Sequence, residues 1–158
     1  MKKFEFTGET KTISLFFRTA TLHRIRAVAE FGLVKIGDLG GWIEKEENLS
    51  HEGKAWVCGD AKVWGNAKVW GNAKVFSASH VLVIGAIGSR DDFTTFFRDK
   101  DNEITVKCGC FLGKIDKFLE KVTQTHGDSK YALVYRAAVE VARLQIDLSG
   151  EAPKDADE

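Results

Sequence analysis

Apolar positions recur every six residues through the middle of this chain. Ala55-Trp-Val-Cys-Gly-Asp60 is followed by Ala-Lys-Val-Trp-Gly-Asn twice, over 61–66 and 67–72, then by a decayed copy from Ala73 to Ala78, and by Val81, which alone keeps the phase. A period this short predicts a stack of similar turns and not a globule of long elements. Within each hexad Ala and Val, two residues apart, point inward, while Lys and Trp point outward from the same short strand. Gly-Asn or Gly-Asp makes the corner, because these residues tolerate left-handed backbone angles. Three hexads close one turn, so residues 18 apart are expected to stack about 4.8 Å apart: Val57 on Val75, Val63 on Val81 and Val69 on Ile87.

The same phase runs backwards through Leu49, Ile43, Ile36 and Val34, which makes 34–54 a set of irregular first turns shielding the open end of the stack. Residues 1–33 alternate at Phe4 and Phe6 and at Ile13 and Leu15, as a β cap would. Leu22, Ile25 and Val28 also fit a helix, but the segment leads into Gly32 and extended chain, and strand is the reading preferred. After Gly85 the repeat gives way to polar and aromatic residues. Ile104 to Phe111 alternates as a further strand. The period then becomes helical at Ile115, Phe118, Leu119 and Val122, ending at Gly127. Asp128 is the expected N-cap of a second helix with Tyr131, Val134, Tyr135, Ala138, Val141, Ala142 and Gln145 at helical spacing. The expected divisions are a β cap at 1–33, the repeat region at 34–112, a helical appendage at 113–147 and a disordered acidic tail at 148–158.

The 158 residues suffice for one domain with a short appendage. Twenty-three basic side chains balance 23 acidic ones, so no global field draws the protein to nucleic acid or an anionic membrane. No apolar run approaches the roughly 20 residues that span a bilayer, and Met1 to Phe6 lacks a signal peptide's apolar region, so a cytoplasmic location is expected. Cys58, Cys108 and Cys110 are an odd, sparse set suited to a reducing compartment.

The hexads resemble the hexapeptide-repeat, left-handed β-helix family, whose members form a triangular prism and usually assemble as homotrimers. Leu39 to Ser50, Ile87 to Arg90, Cys108 to Phe111 and His126-Gly127 are similar to a subgroup of small bacteriophage and prophage proteins often labelled transferases. The expected fold is therefore mainly β: a short left-handed β-helix with an N-terminal β cap and two C-terminal α-helices. The handedness and the homotrimer are implied by the resemblance alone.

Where the repeat fails, Ser89, Arg90, Asp91, Asp92, Thr94, Thr95 and Arg98 form a polar cluster. Arg90 and Arg98 are candidates to clamp a phosphate or carboxylate bidentately, with Ser89, Thr94 and Thr95 adding hydroxyls. Pairing with Asp91 and Asp92 is the structural alternative. A second basic set, Arg18, His23, Arg24 and Arg26, lies at the same end or the opposite one, and Arg24 and Arg26 are expected to join the ligand-binding residues. Trp64, Trp70 and Phe76 lie six apart, hence on different faces; they offer no ladder for stacked bases and are read as an oligomer interface. The function expected is a non-catalytic phage-type protein that captures a small anionic or nucleotide-like ligand at subunit boundaries, with no cofactor, as a counter to host defence signalling. One alternative is acyl transfer from coenzyme A, with His80 or His51 as general base. Another is an adaptor that binds a host or phage protein. Cys108 and Cys110, with Cys58 or a histidine, would be a sparse zinc set; free thiols are the reading preferred, with no metal.

Overall fold

The N-terminal alternation folds as an antiparallel hairpin in the computed structural model, which describes residues 1–15 and 18–149. Strand β1 (Phe4–Ser14) pairs with β2 (Thr19–Ala27) from Phe4 opposite Ala27 to Ser14 opposite Thr19. The helical alternative at Leu22 is thereby excluded. Strand β2 also pairs with β3 (Leu39–Ile43), where Gly40 and Gly41 together lie opposite Ile25. The spacing has a β origin: along β2 the buried positions change parity at His23 and Arg24, from Ala20 and Leu22 to Ile25 and Ala27.

Strand β3 opens a series of parallel pairings. Trp42 and Ile43 lie beside Lys62 and Val63 of β5 (Lys62–Val63), Leu49 bridges Val69, and β4 (Trp56–Val57) pairs with β6 (Lys74–Val75). The partners are twenty, twenty and eighteen residues apart. Ala55, Ala61, Ala67 and Ala73 point inward with Val57, Val63, Val69 and Val75, all between 0 and 5 % exposed. The corner glycines Gly53, Gly59, Gly65 and Gly71 share φ between 63° and 69°, the left-handed region a side chain disfavours.

Of the three expected stacks only Val57 on Val75 forms. Val63 lies on Ile43 and Val69 on Leu49, so the order extends backwards from the hexads and stops after Val75. Ile36 does not join it and is 66 % exposed. Trp56 breaks the outward rule as well, being 4 % exposed with its ring edge-on to Phe31.

From Val81 the chain is an antiparallel sheet, in the order β7 (Val81–Ile87), β8 (Asp92–Arg98), β9 (Ile104–Cys108) and β10 (Phe111–Lys114). The repeat region expected to reach 112 therefore ends some thirty residues earlier. This sheet is packed on both faces, most fully at β8 and β9. Phe97, Val81 and Val83 join the core of the parallel pairings, whereas Phe96, Val106, Leu82 and Ile84 meet the helices. The sheet is anchored across the last parallel segment: the Lys68 N–H donates to Thr95 Oγ1 at 3.0 Å, and Arg98 Nε donates to the Lys74 carbonyl at 3.0 Å. Helices α1 (Ile115–His126) and α2 (Lys130–Gln145) cover the outer face through Phe118, Val122, Ala132, Tyr135, Val139 and Ala142. Gly127 ends α1 as expected, but Ser129, not Asp128, occupies the N-cap of α2. The protein is mainly β with two C-terminal helices. The expected tail lies, from residue 150 on, outside the described residues.

One buried charge ties the N-terminus to the first hexad. Lys3 is 1 % exposed; its Nζ donates to the Ala55 carbonyl at 2.7 Å and lies 4.7 Å from the Phe31 ring centroid. Loss of hydration, and then the charge of Lys74, push its pKa down to about 8. Between about pH 8 and the usual lysine value the folded chain binds fewer protons than the unfolded one, so stability rises with pH across that window. Urea unfolding of the parent protein is expected to gain about 3 kcal/mol over this interval relative to Lys3→Met. Parallel pH profiles for the two proteins would refute the assignment.

Candidate functional site

The β7–β8 turn, the β9–β10 turn and the two helices enclose a cleft of about 170 Å³. Ile87 pairs with Asp92, which leaves Gly88 to Asp91 as the first turn and turns Ser89 and Arg90 to the cleft. Cys108 pairs with Phe111, so Gly109 and Cys110 are the two central residues of the second turn. Gly109 alone of these two has positive φ, at 57°, the pattern of a type II′ hairpin. Helix α1 supplies Lys121, Thr125 and His126, and α2 supplies Tyr135.

Tyr135 sits at the base of this arrangement, 8 % exposed. Its ring is edge-on to Phe118 at 5.7 Å and nearly parallel to His126 at 5.7 Å. The hydroxyl rests against Gly88, where a Cβ would lie 1.9 Å away. Burial, then the neighbouring Cys108 thiol, pushes the phenol up to about 12, so it stays a neutral hydrogen-bonding group. Thr94 Oγ1 donates to Cys108 Sγ at 3.3 Å. Arg90 and Lys121 line the mouth against one carboxylate, Asp92. Neither cation forms an ion pair among the described residues. The lining thus combines positive charge, hydroxyls and aromatic walls, a chemistry suited to an anion with an apolar neighbour.

The expected polar cluster divides between the two faces and two ends of β8. Ser89 and Arg90 belong to the cleft, and Thr94 supports it from below through Cys108. Thr95 faces the other way and accepts from Lys68. Arg98 lies at the far end of the strand, roughly 20 Å from Asp92 at about 3.3 Å per residue, so Arg90 and Arg98 do not close on one phosphate. Arg98 is 5 % exposed, with its guanidinium 4.8 Å from the Phe76 ring centroid. Of the second basic set, Arg18 pairs with both carboxylate oxygens of Glu44 at 2.6 and 3.0 Å, and Arg26 with Glu5 at 2.6 Å. Arg24 Nε donates to the Gly40 carbonyl at 3.3 Å, and His23 stacks on Phe6. None of these four lines the cleft.

Both candidate general bases are engaged elsewhere. His51 Nδ1 accepts from the Lys3 N–H at 3.0 Å, with its ring stacked on Phe4. His80 Nδ1 accepts from the Phe76 N–H at 3.0 Å. Each neutral ring therefore carries its proton on Nε2 and offers a donor, not the lone pair that base catalysis requires. Burial, as the largest influence, lowers the pKa of each.

The three outward aromatics also part company. Trp70 is half-buried beneath Lys107, whose Nζ is 4.6 Å from the ring centroid, while Trp64 and Phe76 are 38 and 41 % exposed. Cys108 ends β9 and Cys110 sits in the turn, so the two are not successive same-face positions of one strand. Among the described residues no three metal-ligating side chains converge.

Lys121, His126 and Tyr135 were not legible as site residues. Tyr135 reads as part of the apolar stripe of α2, and nothing local marks Lys121. Neither the models of protein families nor the characterised proteins compared with this chain give a match.

Proposed function

We propose that this protein is a non-catalytic binding protein that captures a small anionic ligand in the cleft between the antiparallel sheet and the helical hairpin. The observation carrying this reading is the convergence of Arg90, Lys121 and Ser89 above a neutral, buried Tyr135. A cleft of about 170 Å³ is smaller than the roughly 300–1,000 Å³ that buries a whole drug-sized molecule. It suits a phosphate or carboxylate headgroup, with the remainder of a nucleotide-like ligand lying outside. The resemblance to bacteriophage proteins gives such capture a purpose, removal of a host defence signal. The same resemblance, with the parallel pairs eighteen to twenty residues apart and the glycine corners, supports reading residues 39–76 as a short left-handed β-helix.

Thermal shift and calorimetry with adenine and guanine mono-, di- and cyclic nucleotides test the proposal. Binding is expected to weaken with salt and to fall about 10- to 100-fold in Arg90→Ala and in Lys121→Ala, the loss of one charge-assisted hydrogen bond in each. Arg98→Ala is expected to lower stability and to leave binding by the folded fraction unchanged. Recovery of a chemically altered nucleotide after denaturation, or the absence of binding by any member of the set, overturns it.

A further inference from the structure

Helix α2 buries one face and leaves another bare. Ala132, Tyr135, Ala138, Val139 and Ala142 pack toward the sheet and α1. Leu133, Ala137, Val141 and Leu144 are exposed, Leu133 at 61 %, Val141 at 47 % and Leu144 at 89 %. Their spacing of four, four and three residues sets them along one stripe of the helix. Single exposed apolar residues are ordinary, but a continuous stripe marks an interaction surface. A leucine this exposed has no packing role inside its own chain.

We propose that this stripe pairs antiparallel with the same stripe of a second copy, giving a twofold dimer through α2. The arrangement is self-complementary. A twofold axis near position 139 sets Leu133 opposite Leu144 of the partner subunit and Ala137 opposite its Val141. Ala137, small and central, permits close approach of the helices. Charge fits the same axis. Glu140 and Arg136 flank the stripe on one side, and the axis brings each Arg136 to within about one residue's rise, 1.5 Å along the helix, of Glu140 of the partner subunit. Arg143, paired with Glu140 at 2.8 Å in its own chain, lies on that side too. A parallel pairing, with its axis along the helices, would instead set the flank of Arg136 and Glu140 against the opposite flank of the partner helix and bring no such pair together. Residues 150–158 do not suit the stripe: they hold four acidic side chains and only alanine and proline as apolar ones.

Two 16-residue helices bury less than the roughly 1,200 Å² of a standard stable interface, so the expected dimer is a micromolar, exchanging one. Sedimentation equilibrium of the full chain across a concentration series should give the mass of two chains at the upper end. Leu144→Glu should give one chain's mass, with a thermal melt matching the parent's at concentrations where the parent too is a single chain, since there the side chain it replaces is already in water. Glu140→Arg is expected to weaken the dimer about tenfold or more, and adding Arg136→Glu to restore it. Because Arg136 also donates to the Gly127 carbonyl at 3.0 Å, the double variant is compared only where its melt matches the parent. A single-chain mass throughout, a trimer, or a dimer indifferent to Leu144→Glu overturns the proposal.

Discussion

Asn48→Asp is expected to cost about 4 kcal/mol at neutral pH, the loss of a satisfied buried amide and the burial of a poorly partnered charge together. Asn48 has no exposed surface and closes the short 3₁₀ turn Glu46–Asn48. Its Oδ1 accepts from the Lys45 N–H at 2.9 Å, while Nδ2 donates to the carbonyls of Gly65 at 3.1 Å and Ala67 at 2.9 Å. One side chain thus ties the segment between β3 and β4 to the corner lying beside it. A carboxylate keeps the acceptor and replaces the donor with a second oxygen aimed at two carbonyls. Protonation restores one donor, so the variant's carboxyl is held above its unfolded value, and the folded state binds more protons than the unfolded state between the two. Its stability must then fall as pH rises through that window. Urea unfolding at pH 5 and pH 7 should show Asn48→Asp closer to the parent at the lower pH, with Asn48→Ala low at both. An aspartate variant as stable as the parent at pH 7 would show that the two carbonyls do not depend on this amide.

The hexads were legible because every inward position carries Ala or Val while the residues between are polar or aromatic. The backward extension to Ile43 and Leu49 was legible for the same reason. The end of the stack was not, since Val81 and Ile87 keep the phase of the repeat while belonging to another sheet. A signal was nevertheless present: Val81 to Ile84 is four consecutive apolar residues, which a hexad with a solvent face does not need and a strand packed against apolar residues on both faces does. The helical spacing at Leu22 and Ile25 misleads for a different reason, because a change of buried parity along one strand imitates a period of three.

The site was half legible. Ser89, Arg90 and Asp92 stand out where the repeat stops, and they are the three members of that cluster that reach the cleft. Arg98 looks equivalent in sequence, but β8 carries it to the opposite end, where its Nε is spent on Lys74. The remaining members come from the β9–β10 turn and the two helices, and their convergence exists only after the sheet and the helices have packed. Local patterns contain the elements of such a site and not their meeting point.

Gly88→Ala tests that meeting point, and is expected to cost about 3–4 kcal/mol, from left-handed backbone at about 1–2 and overpacking at about 1–3. Gly88 has φ 79°, and an added Cβ would meet the Tyr135 hydroxyl at 1.9 Å and its Cζ at 2.5 Å. The ring has little room to retreat, held edge-on by Phe118 and faced by His126. At roughly 2–4 °C per kcal/mol for a chain of this size, the melting temperature should drop by about 6–15 °C. Tyr135→Phe removes the nearest atom. On the parent background it should cost about 1 kcal/mol for the lost hydroxyl contact, whereas on the Gly88→Ala background it should recover about as much, a favourable coupling only directly opposed groups produce. Ligand binding should fall in Gly88→Ala even where the protein remains folded, because the turn that presents Ser89 and Arg90 has to move. A Gly88→Ala protein that melts with the parent, or double-variant effects that simply add, would separate Tyr135 from the β7–β8 turn and dissolve the cleft as a designed site.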